Sequence, residues 1–241
     1  MNTYTLITGG TTGIGFTAAE KLIAEGRQII ITGQNPQRVE AAAEKLGCTG
    51  LVADSGDMAS VIALAYKLRQ DNIRLDGLVL NAGTFIPAGF EETTEADFDK
   101  SFAVNTKGPF FTLQALLPCL SHPCSVVFVS SIAVDKGFAG CAAYAASKAA
   151  AEAFMRVANI DLASRGIRIN ILRPGVTATP IQGKAGISEA EKQALFNSLD
   201  STALGRVLTP DDHAGTISYL LSDASLAIRN AVIQVDGGYA L

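Results

Sequence analysis

The stretch that decides the fold is Thr8-Gly9-Gly10-Thr11-Thr12-Gly13-Ile14-Gly15, which follows an apolar run at Tyr4–Thr8 and opens a helix-like segment at Ile14–Glu25. Glycine permits a tight turn and a close backbone approach, and the free N–H groups of a helix start attract negative charge. Glycine-rich turns are common, but a place between a first strand and its helix makes this one more specific. The stretch therefore predicts a cradle for the pyrophosphate of a dinucleotide.

Strand-like and helix-like segments alternate along the rest of the chain. Short runs rich in Val, Ile and Leu predict strands at Tyr4–Thr8, Gln28–Thr32, Gly50–Ala53, Gly77–Leu80, Ser125–Ser130, Ile167–Leu172 and Val232–Val235. Helix-like segments separate them at Ile14–Glu25, Pro36–Lys45, Met58–Gln70, Ala96–Cys119, Ala142–Ser164 and Pro210–Leu221. Such alternation is typical of right-handed βαβ units and a parallel sheet. We expect one α/β domain over residues 1–241, with a doubly wound parallel sheet of seven strands and helices on both faces.

One long segment lacks a strand-like run, from Arg173 to Thr209. Long insertions are uncommon in compact domains and often close over a site. Disorder is the alternative, but the segment has apolar residues to pack and a helical patch near Glu189–Leu199. We expect a substrate lid at residues 176–208.

Composition excludes several classes of protein. Apolar residues make up 48% and charged residues 17% of the 241 residues, and the net charge is -4 without a Lys/Arg cluster. This balance argues against disorder and against a nucleic-acid partner. No apolar run approaches the roughly 20 residues of a membrane span, and the first residues lack the features of a signal peptide. We expect a cytoplasmic protein with no membrane partner.

The four cysteines have no C-x-x-C spacing and do not suggest disulfides. Cys119, His122 and Cys124 lie close in sequence, but three candidate ligands without a second pair favour ordinary buried thiols over a metal site. We expect no bound metal.

Several further motifs follow the glycine-rich stretch in a fixed order. Thr8–Gly15 fits the pattern T-G-x-x-x-G-x-G, and Asn81-Ala82-Gly83, Asn105, Ser131, Tyr144 with Lys148, and Pro174-Gly175 come after it. In their order and spacing, along essentially the whole length, these motifs make the chain resemble the short-chain dehydrogenase/reductase family. The resemblance implies a Rossmann fold and an NAD(P)-dependent enzyme that interconverts a ketone and a secondary alcohol, with a small-molecule carbonyl or alcohol as substrate.

Tyr144 and Lys148 are four residues apart on a predicted helix, so they share one face. Without the other motifs, a solvated and weakly interacting pair is the better interpretation. With them, the resemblance implies that Tyr144 is the general acid for reduction and the general base for oxidation. A free phenol has a pKa of about 10, and we expect the nearby ammonium to lower that of Tyr144. In the family, the lysine also binds the nicotinamide ribose.

The resemblance adds two residues to the predicted catalytic set. The family places its serine thirteen residues before the tyrosine, which selects Ser131, rather than Ser130, to polarise the substrate carbonyl. Asn105 is a polar residue inside an apolar helical stretch, where it needs a partner. In the family this asparagine distorts its helix and holds a water that relays protons to the lysine.

The resemblance also assigns cofactor contacts. Asp54 matches the acid that holds the adenine, the backbone at Thr177 meets the nicotinamide carboxamide, and Thr179 binds on the pyrophosphate side. The predicted cofactor-binding residues are Gly9, Thr11, Thr12, Gly13, Ile14, Gly15, Gly33, Gln34, Asn35, Arg38, Asp54, Ser55, Asn81, Ala82, Gly83, Tyr144, Lys148, Pro174, Gly175, Thr177 and Thr179.

The end of the second strand bears on the choice between NAD and NADP. An acid there accepts bonds from the ribose hydroxyls and repels a 2′-phosphate, but this chain has Gly33 where NAD-preferring relatives have Asp. Gln34 stands where many NADP-using relatives have Arg, and Arg38 either reaches the phosphate or is a solvated surface residue. We therefore expect NADP(H), with NAD(H) as the alternative.

Other functions remain as alternatives. The same fold and cofactor serve epimerisation or dehydration in larger relatives. A non-catalytic nucleotide sensor or scaffold is an alternative from a different class of protein function. In a non-catalytic protein we would expect the Ser–Tyr–Lys set to be lost, but it is intact here.

The resemblance also implies a homotetramer or homodimer packed through the helices at Ala96–Cys119 and Ala142–Ser164. The small residues of the second helix would permit close approach: Ala145, Ala146, Ala149, Ala150 and Ala151.

Overall fold

The computed structural model describes residues 3–240 and contains a seven-stranded parallel sheet. Residues 1, 2 and 241, which the predicted domain also included, lie outside the described residues. The strands are β1 (Thr3–Ile7), β2 (Gln28–Gly33), β3 (Thr49–Val52), β4 (Arg74–Leu80), β5 (Leu120–Val129), β6 (Ile167–Pro174) and β7 (Val232–Val235). Every predicted strand is present. β4 and β5 begin earlier than predicted, because their first residues continue the ladder without the apolar pattern.

Helices cover both faces of the sheet, as expected. They are α1 (Gly13–Ala24), α2 (Pro36–Leu46), α3 (Met58–Gln70), α4 (Glu95–Phe102), α5 (Gly108–Leu116), α6 (Ala142–Asp161), α7 (Ile181–Lys184), α8 (Glu189–Ser198) and α9 (Asp211–Leu221). The predicted continuous helix Ala96–Cys119 is wrong, because a π-helical turn at Ala103–Lys107 separates α4 from α5. Within residues 3–240, no helix is both long and apolar enough to cross a membrane.

Each strand sends alternate side chains to two separate cores. Leu6 packs with Leu68, Leu116 and Met155 on the face covered by α3, α5 and α6, whereas its neighbour Ile7 packs on the other face with α1, α2 and α9. Because both faces are covered, the central strands have nearly continuous apolar sequences.

The order of the strands is β3-β2-β1-β4-β5-β6-β7. The chain therefore builds outward in one direction from β1 to β3 and in the other from β4 to β7. At such a reversal the loops at the carboxyl ends of the strands separate and leave a crevice, where open α/β sheets bind ligands. The glycine turn after β1 and the Asn81-Ala82-Gly83 segment after β4 line it from either side.

Candidate active site

The glycine turn, Thr8–Gly15, is built on backbone geometry that other residues do not fit. Gly9 and Gly13 have φ values of 64° and 58°, in the left-handed region that favours glycine. A Cβ on Gly15 would lie 2.5 Å from Nδ2 of Asn81 and 2.7 Å from the Gly9 carbonyl oxygen. The turn leads into α1, whose cap residue Thr12 makes no side-chain capping bond. The backbone at this helix start is thus arranged to receive an anion.

The segment after β4 braces this turn. The hydroxyl of Thr8 accepts hydrogen bonds from the N–H groups of Asn81 and Ala82, at 3.0 and 3.1 Å. In return, Nδ2 of Asn81 donates to the carbonyl oxygens of Thr8 and Gly9, both at 3.0 Å. Asn81-Ala82-Gly83, predicted to be among the cofactor contacts, therefore lies directly against the glycine turn.

Asn105 occupies the π-helical turn and is fully buried. Its Oδ1 accepts from the Thr84 N–H at 2.8 Å, and its Nδ2 donates to the Thr84 carbonyl oxygen at 2.9 Å and to the Ser147 hydroxyl at 3.1 Å. The predicted helix distortion is therefore present, and π-bulges are frequent at functional sites. A Cβ on Gly83 would lie 3.3 Å from both Asn105 Oδ1 and Lys148 Nζ, so these two side chains meet beside the end of β4.

The predicted acid–base residues come together where β5, α6 and the loop between them meet. Ser131 is the cap residue of a short 3₁₀ turn after β5. Its hydroxyl accepts from the Ala133 N–H at 3.1 Å and lies close enough to Tyr144 to lower the pKa of the phenol. Phe85 packs its ring edge-on against Tyr144, with the ring centroids 5.0 Å apart. Lys148 is buried beneath them, and its Nζ donates to the Val129 carbonyl oxygen at 2.9 Å. The acid–base cluster, Asn105, Ser131, Tyr144 and Lys148, is thus assembled from three separate elements.

The electrostatics of the cluster differ from expectation at Tyr144. Burial raises the pKa of the Tyr144 phenol above its ordinary value, and the nearby Ser131 hydroxyl offsets only part of this rise. The predicted lowering by Lys148 is not seen, because the ammonium is directed to the Val129 carbonyl. Burial instead lowers the pKa of Lys148 to about 8, against the opposing effect of the Glu152 carboxylate. Lys148 thus loses its charge not far above neutrality.

Ser130, the serine that the sequence analysis set aside, is buried and turned away from this cluster. Its hydroxyl donates to Glu152 at 2.6 Å. The choice of Ser131 as the substrate-facing serine agrees with this orientation.

Two residues that the sequence analysis missed hold the segment after β6. Thr177 forms a bridge with Leu208, which joins the two ends of the predicted lid. Nε2 of the buried His213 lies 2.8 Å from the Thr177 hydroxyl, and Gln182 Nε2 donates to the Thr177 carbonyl oxygen at 2.7 Å. Burial lowers the pKa of His213 to about 4, so the ring is neutral at pH 7. A polar residue on the apolar face of α9, shared with Ile217, was the available signal.

Thr179 and Pro174-Gly175 also reach the crevice. A Cβ on Gly13 would lie 3.3 Å from the Thr179 side chain, so Thr179 borders the glycine turn as predicted. The Gly175 N–H donates to the Val235 carbonyl oxygen at 2.8 Å, and its Cα faces Asp236 too closely for a side chain to be added.

The residues predicted to choose between NAD and NADP lie at the end of β2. A Cβ on Gly33 would lie 2.7 Å from Cγ2 of Thr11, so Thr11 occupies the space that an acidic side chain would enter. Gln34 and Arg38 are exposed there, and Asn35 caps α2 by accepting from the Arg38 N–H at 2.9 Å. Lys184 of α7 was not predicted. Burial lowers the pKa of Lys184, and the charge of Arg38 lowers it further, so the two cations lie near each other.

The adenine-side residues follow β3. Asp54 accepts from the Gly56 N–H at 2.8 Å through Oδ1, which fixes its carboxylate in a tight turn. The Ser55 carbonyl oxygen would lie 2.5 Å from a Cβ on Gly108, so this turn packs closely on the start of α5.

These observations test whether a nicotinamide dinucleotide fits the residues present. The glycine turn leaves room for a pyrophosphate at a helix start, Lys148 is a buried cation beside Gly83, and Thr177 and Thr179 border the same crevice. Each part of such a cofactor meets groups of suitable charge and size. The residues fit the group.

The cysteine cluster is structural. Cys119 and Cys124 are buried in the core, and burial raises the pKa of Cys124 to about 12. All four cysteines are thiols, and within residues 3–240 no three His, Cys, Asp or Glu side chains are grouped to hold a metal ion.

The fold and site define an oxidoreductase built on a dinucleotide-binding sheet, and comparison with known proteins agrees. A family model described as "Enoyl-(Acyl carrier protein) reductase" matches residues 9–240. Cyclopentanol dehydrogenase from Comamonas sp. is 30% identical over 97% of this chain and 95% of its own length. NADP-dependent (R)-specific alcohol dehydrogenase from Lentilactobacillus kefiri is 30% identical over the same shares. The chain belongs to the short-chain dehydrogenase/reductase family, whose members are NAD(P)-dependent oxidoreductases acting on alcohols and ketones.

A solved structure extends the likeness to three dimensions. The blue fluorescent protein from a metagenomic library, in complex with NADPH, superposes with a TM-score of 0.89 at 27% identity and covers 100% of both chains. The predicted Rossmann-type α/β fold is confirmed by this agreement and by the sheet order.

Proposed function

We propose that this protein is an NADP(H)-dependent oxidoreductase that interconverts a ketone and a secondary alcohol, with Tyr144 as general acid and base. The observation that carries the proposal is the assembly of Asn105, Ser131, Tyr144 and Lys148 beside a cradle shaped for a dinucleotide. The named activities of the two dehydrogenase relatives support the same chemistry. The intact acid–base cluster disfavours a non-catalytic sensor or scaffold.

When bound, the dihydronicotinamide would supply a hydride to the carbonyl carbon. The Tyr144 hydroxyl donates its proton to the carbonyl oxygen, and the Ser131 hydroxyl holds that oxygen in place. The raised pKa of Tyr144 keeps its proton available at neutral pH, which suits reduction. Lys148, held by the Val129 carbonyl oxygen one helical turn from Tyr144, would bind the nicotinamide ribose beside the reacting carbonyl. Asn105, fixed by hydrogen bonds with Thr84 and Ser147, would hold a water that relays protons to Lys148.

The preference for NADP(H) is part of the proposal. Gly33 offers no carboxylate to repel a 2′-phosphate, and the neighbouring cations Arg38 and Lys184 would attract one. The relative whose name includes NADP dependence, and the structural neighbour with bound NADPH, support this choice.

We further propose that the chain forms one domain, with residues 176–208 as a substrate lid.

We also propose that the protein is a homotetramer, with a homodimer as the alternative. Phe110 and Phe111 of α5 and Val157 and Ile160 of α6 expose one apolar face for a second copy. Another apolar surface, Tyr219, Leu226 and Val232, lies near the edge strand β7. Of the small residues predicted to permit close approach, Ala151 is excluded because it is buried in the core. A monomer by light scattering at micromolar concentration would contradict the assembly.

The proposed compartment is the cytoplasm. All four cysteines are thiols, and reducing compartments keep thiols in this state.

The test of function is oxidation of NADPH and NADH across a panel of ketones, aldehydes and diketones. We expect kcat/KM with NADPH to exceed that with NADH by about tenfold or more, and Arg38→Gln or Lys184→Gln to lower the NADPH value about fivefold, as loss of one cation near a phosphate predicts. Lys67→Gln, on the distant and exposed face of α3, is the matched control and leaves both values unchanged. Equal or better use of NADH overturns the cofactor choice, and no reduction of any carbonyl overturns the function.

A further inference from the structure

Glu152 is a fully buried carboxylate that the proposed chemistry does not use. It lies on α6 one helical turn beyond Lys148. Its Oε1 accepts from the Ser130 hydroxyl at 2.6 Å and from Nε of Arg173 at 2.7 Å, and its Oε2 accepts from Nη2 of Arg173 at 2.6 Å. Arg156 approaches the same carboxylate to 3.5 Å from the exposed side of α6. Ser130, Glu152 and Arg173 form what we call the carboxylate cluster.

Stability alone does not explain this arrangement. Burying two charges is expensive, and well-packed apolar residues often replace such a pair without loss. A buried ion pair in this position therefore points to a purpose beyond holding the fold together.

The partners of Glu152 indicate what that purpose is. Ser130 directly precedes Ser131, the residue proposed to hold the substrate oxygen, at the end of β5. Arg173 directly precedes Pro174-Gly175, at the end of β6. Glu152 shares a face of α6 with Lys148 and Tyr144, since the three are spaced by four residues. One side chain thus joins both strand ends to the helix that carries the proposed acid.

We propose that Glu152 is a positioning residue, which fixes the ends of β5 and β6 against α6 and places a negative charge one turn from the Lys148 ammonium. This inference rests on the proposed function, because it acts through Lys148 and Ser131. It adds a residue to the machinery that lies outside the matched sequence motifs.

The charges around Lys148 make its response to Glu152 predictable. On α6 it has Tyr144 on one side and Glu152 on the other, and the neutral Asn105 and the Val129 carbonyl face it from the π-helical turn and β5. Arg173 on β6 and Asp135 in the loop after β5 pair with each other on the far side of Glu152. Burial lowers the pKa of Lys148 and Glu152 raises it, so removing the Glu152 charge should lower this pKa further below about 8.

The experiment compares Glu152→Gln with Glu152→Asp by the pH profile of kcat/KM for carbonyl reduction, with NADPH affinity and Tm measured in parallel. Activity falls at high pH as Lys148 loses its proton, so we expect Glu152→Gln to move this limb about one unit lower. Glu152→Asp keeps the charge but shortens the reach to Ser130, so kcat falls while the limb stays. Asp135→Asn is the matched control: it removes the other carboxylate on Arg173, which is largely exposed, and leaves the limb in place.

A merely structural role would lower Tm in Glu152→Gln and leave the limb at the wild-type pH, which overturns the inference. If Glu152→Gln does not fold, Glu152→Gln combined with Arg173→Gln leaves no unpaired buried charge. Because it also removes a cation, it is compared with Arg173→Gln alone, and we expect its limb to lie at the lower pH. Equal limbs in these two variants also overturn the inference. A wild-type chain that binds no NADPH and reduces no carbonyl overturns the proposed function instead, so the two failures are distinguishable.

Discussion

The glycine turn follows β1, whereas the carboxylate cluster joins the ends of β5 and β6 to α6, and the two are built by different means. The turn depends on the absence of side chains: Gly9 and Gly15 let the backbone approach Ala82 and Asn81 within distances that a Cβ would violate. The cluster depends on side chains, and two hydrogen-bonded strand ends meet at one buried carboxylate. The first site is therefore sensitive to added volume, and the second to lost charge and lost hydrogen bonds.

The acid–base cluster is formed by side chains, as the carboxylate cluster is. It should be the most sensitive to substitution, because a single hydroxyl is proposed to move the proton. Tyr144→Phe removes that hydroxyl and preserves the ring that packs on Phe85. We expect kcat for carbonyl reduction to fall by about 10²–10⁴, the usual contribution of a general acid. Steady-state kinetics measures this, and NADPH titration should show an affinity close to that of the wild type. Full activity in the variant would rule out Tyr144 as the proton donor.

The glycine turn, which depends on close backbone contacts, should lose stability when a single methyl group is added. In Gly15→Ala, the Cβ would lie 2.5 Å from Asn81 Nδ2 and 2.7 Å from the Gly9 carbonyl oxygen, so the turn must shift. We expect the free energy of unfolding to fall by about 3 kcal/mol, at the upper end for overpacking, and NADPH affinity to fall as well. Urea unfolding and NADPH titration measure the two effects.

Gly215→Ala is the matched control for this substitution. Gly215 lies inside α9, and a Cβ there would meet nothing within 4 Å. Because alanine favours a helix over glycine, we expect a gain of up to about 1 kcal/mol. If both variants are equally stable, close packing does not explain the glycines of the turn.

The difference between local backbone geometry and long-range side-chain contacts also explains which features could be predicted from the sequence. The glycine turn and the seven strands were predicted because they follow from local patterns, glycine placement and apolar runs. Asn105 was identified as unusual because a polar residue interrupts an apolar helical stretch. The apolar spacing of Ala96–Cys119 also fits a continuous helix, so only the family resemblance, and not the local pattern, predicted the distortion that the π-helical turn provides.

Functional side chains were predicted only where they belong to a sequence motif. Glu152 and Arg173 are 21 residues apart, and nothing local to either shows that β6 brings them together. His213 lies 36 residues from Thr177, and the contact depends on the Thr177–Leu208 bridge, which no local pattern shows. The predicted effect of Lys148 on Tyr144 failed for a related reason. Helical spacing placed the two side chains on one face, but the direction of the ammonium depends on the Val129 carbonyl, which the spacing does not reveal.

His213 gives a smaller expected effect than Tyr144 or Gly15, and it tests whether the histidine beside Thr177 behaves as a buried group. Burial lowers its pKa from 6.5 to about 4, so the folded chain resists protonation more than the unfolded chain does. The stability that a neutral His213 contributes is fully present above pH ~6.5 and is lost as the pH falls toward 4. From these two pKa values, we expect the free energy of unfolding to fall by about 2 kcal/mol more between pH 7 and pH 5 in the wild type than in His213→Gln. Glutamine does not titrate and still offers an N–H near the Thr177 hydroxyl, so the variant should keep most of its NADPH affinity, whereas His213→Leu should lose part of it. Urea unfolding at the two pH values measures the difference. If the free energy of unfolding falls equally in the wild type and in His213→Gln, the His213 ring is solvated. In that case its hydrogen bond to Thr177 does not hold the segment after β6.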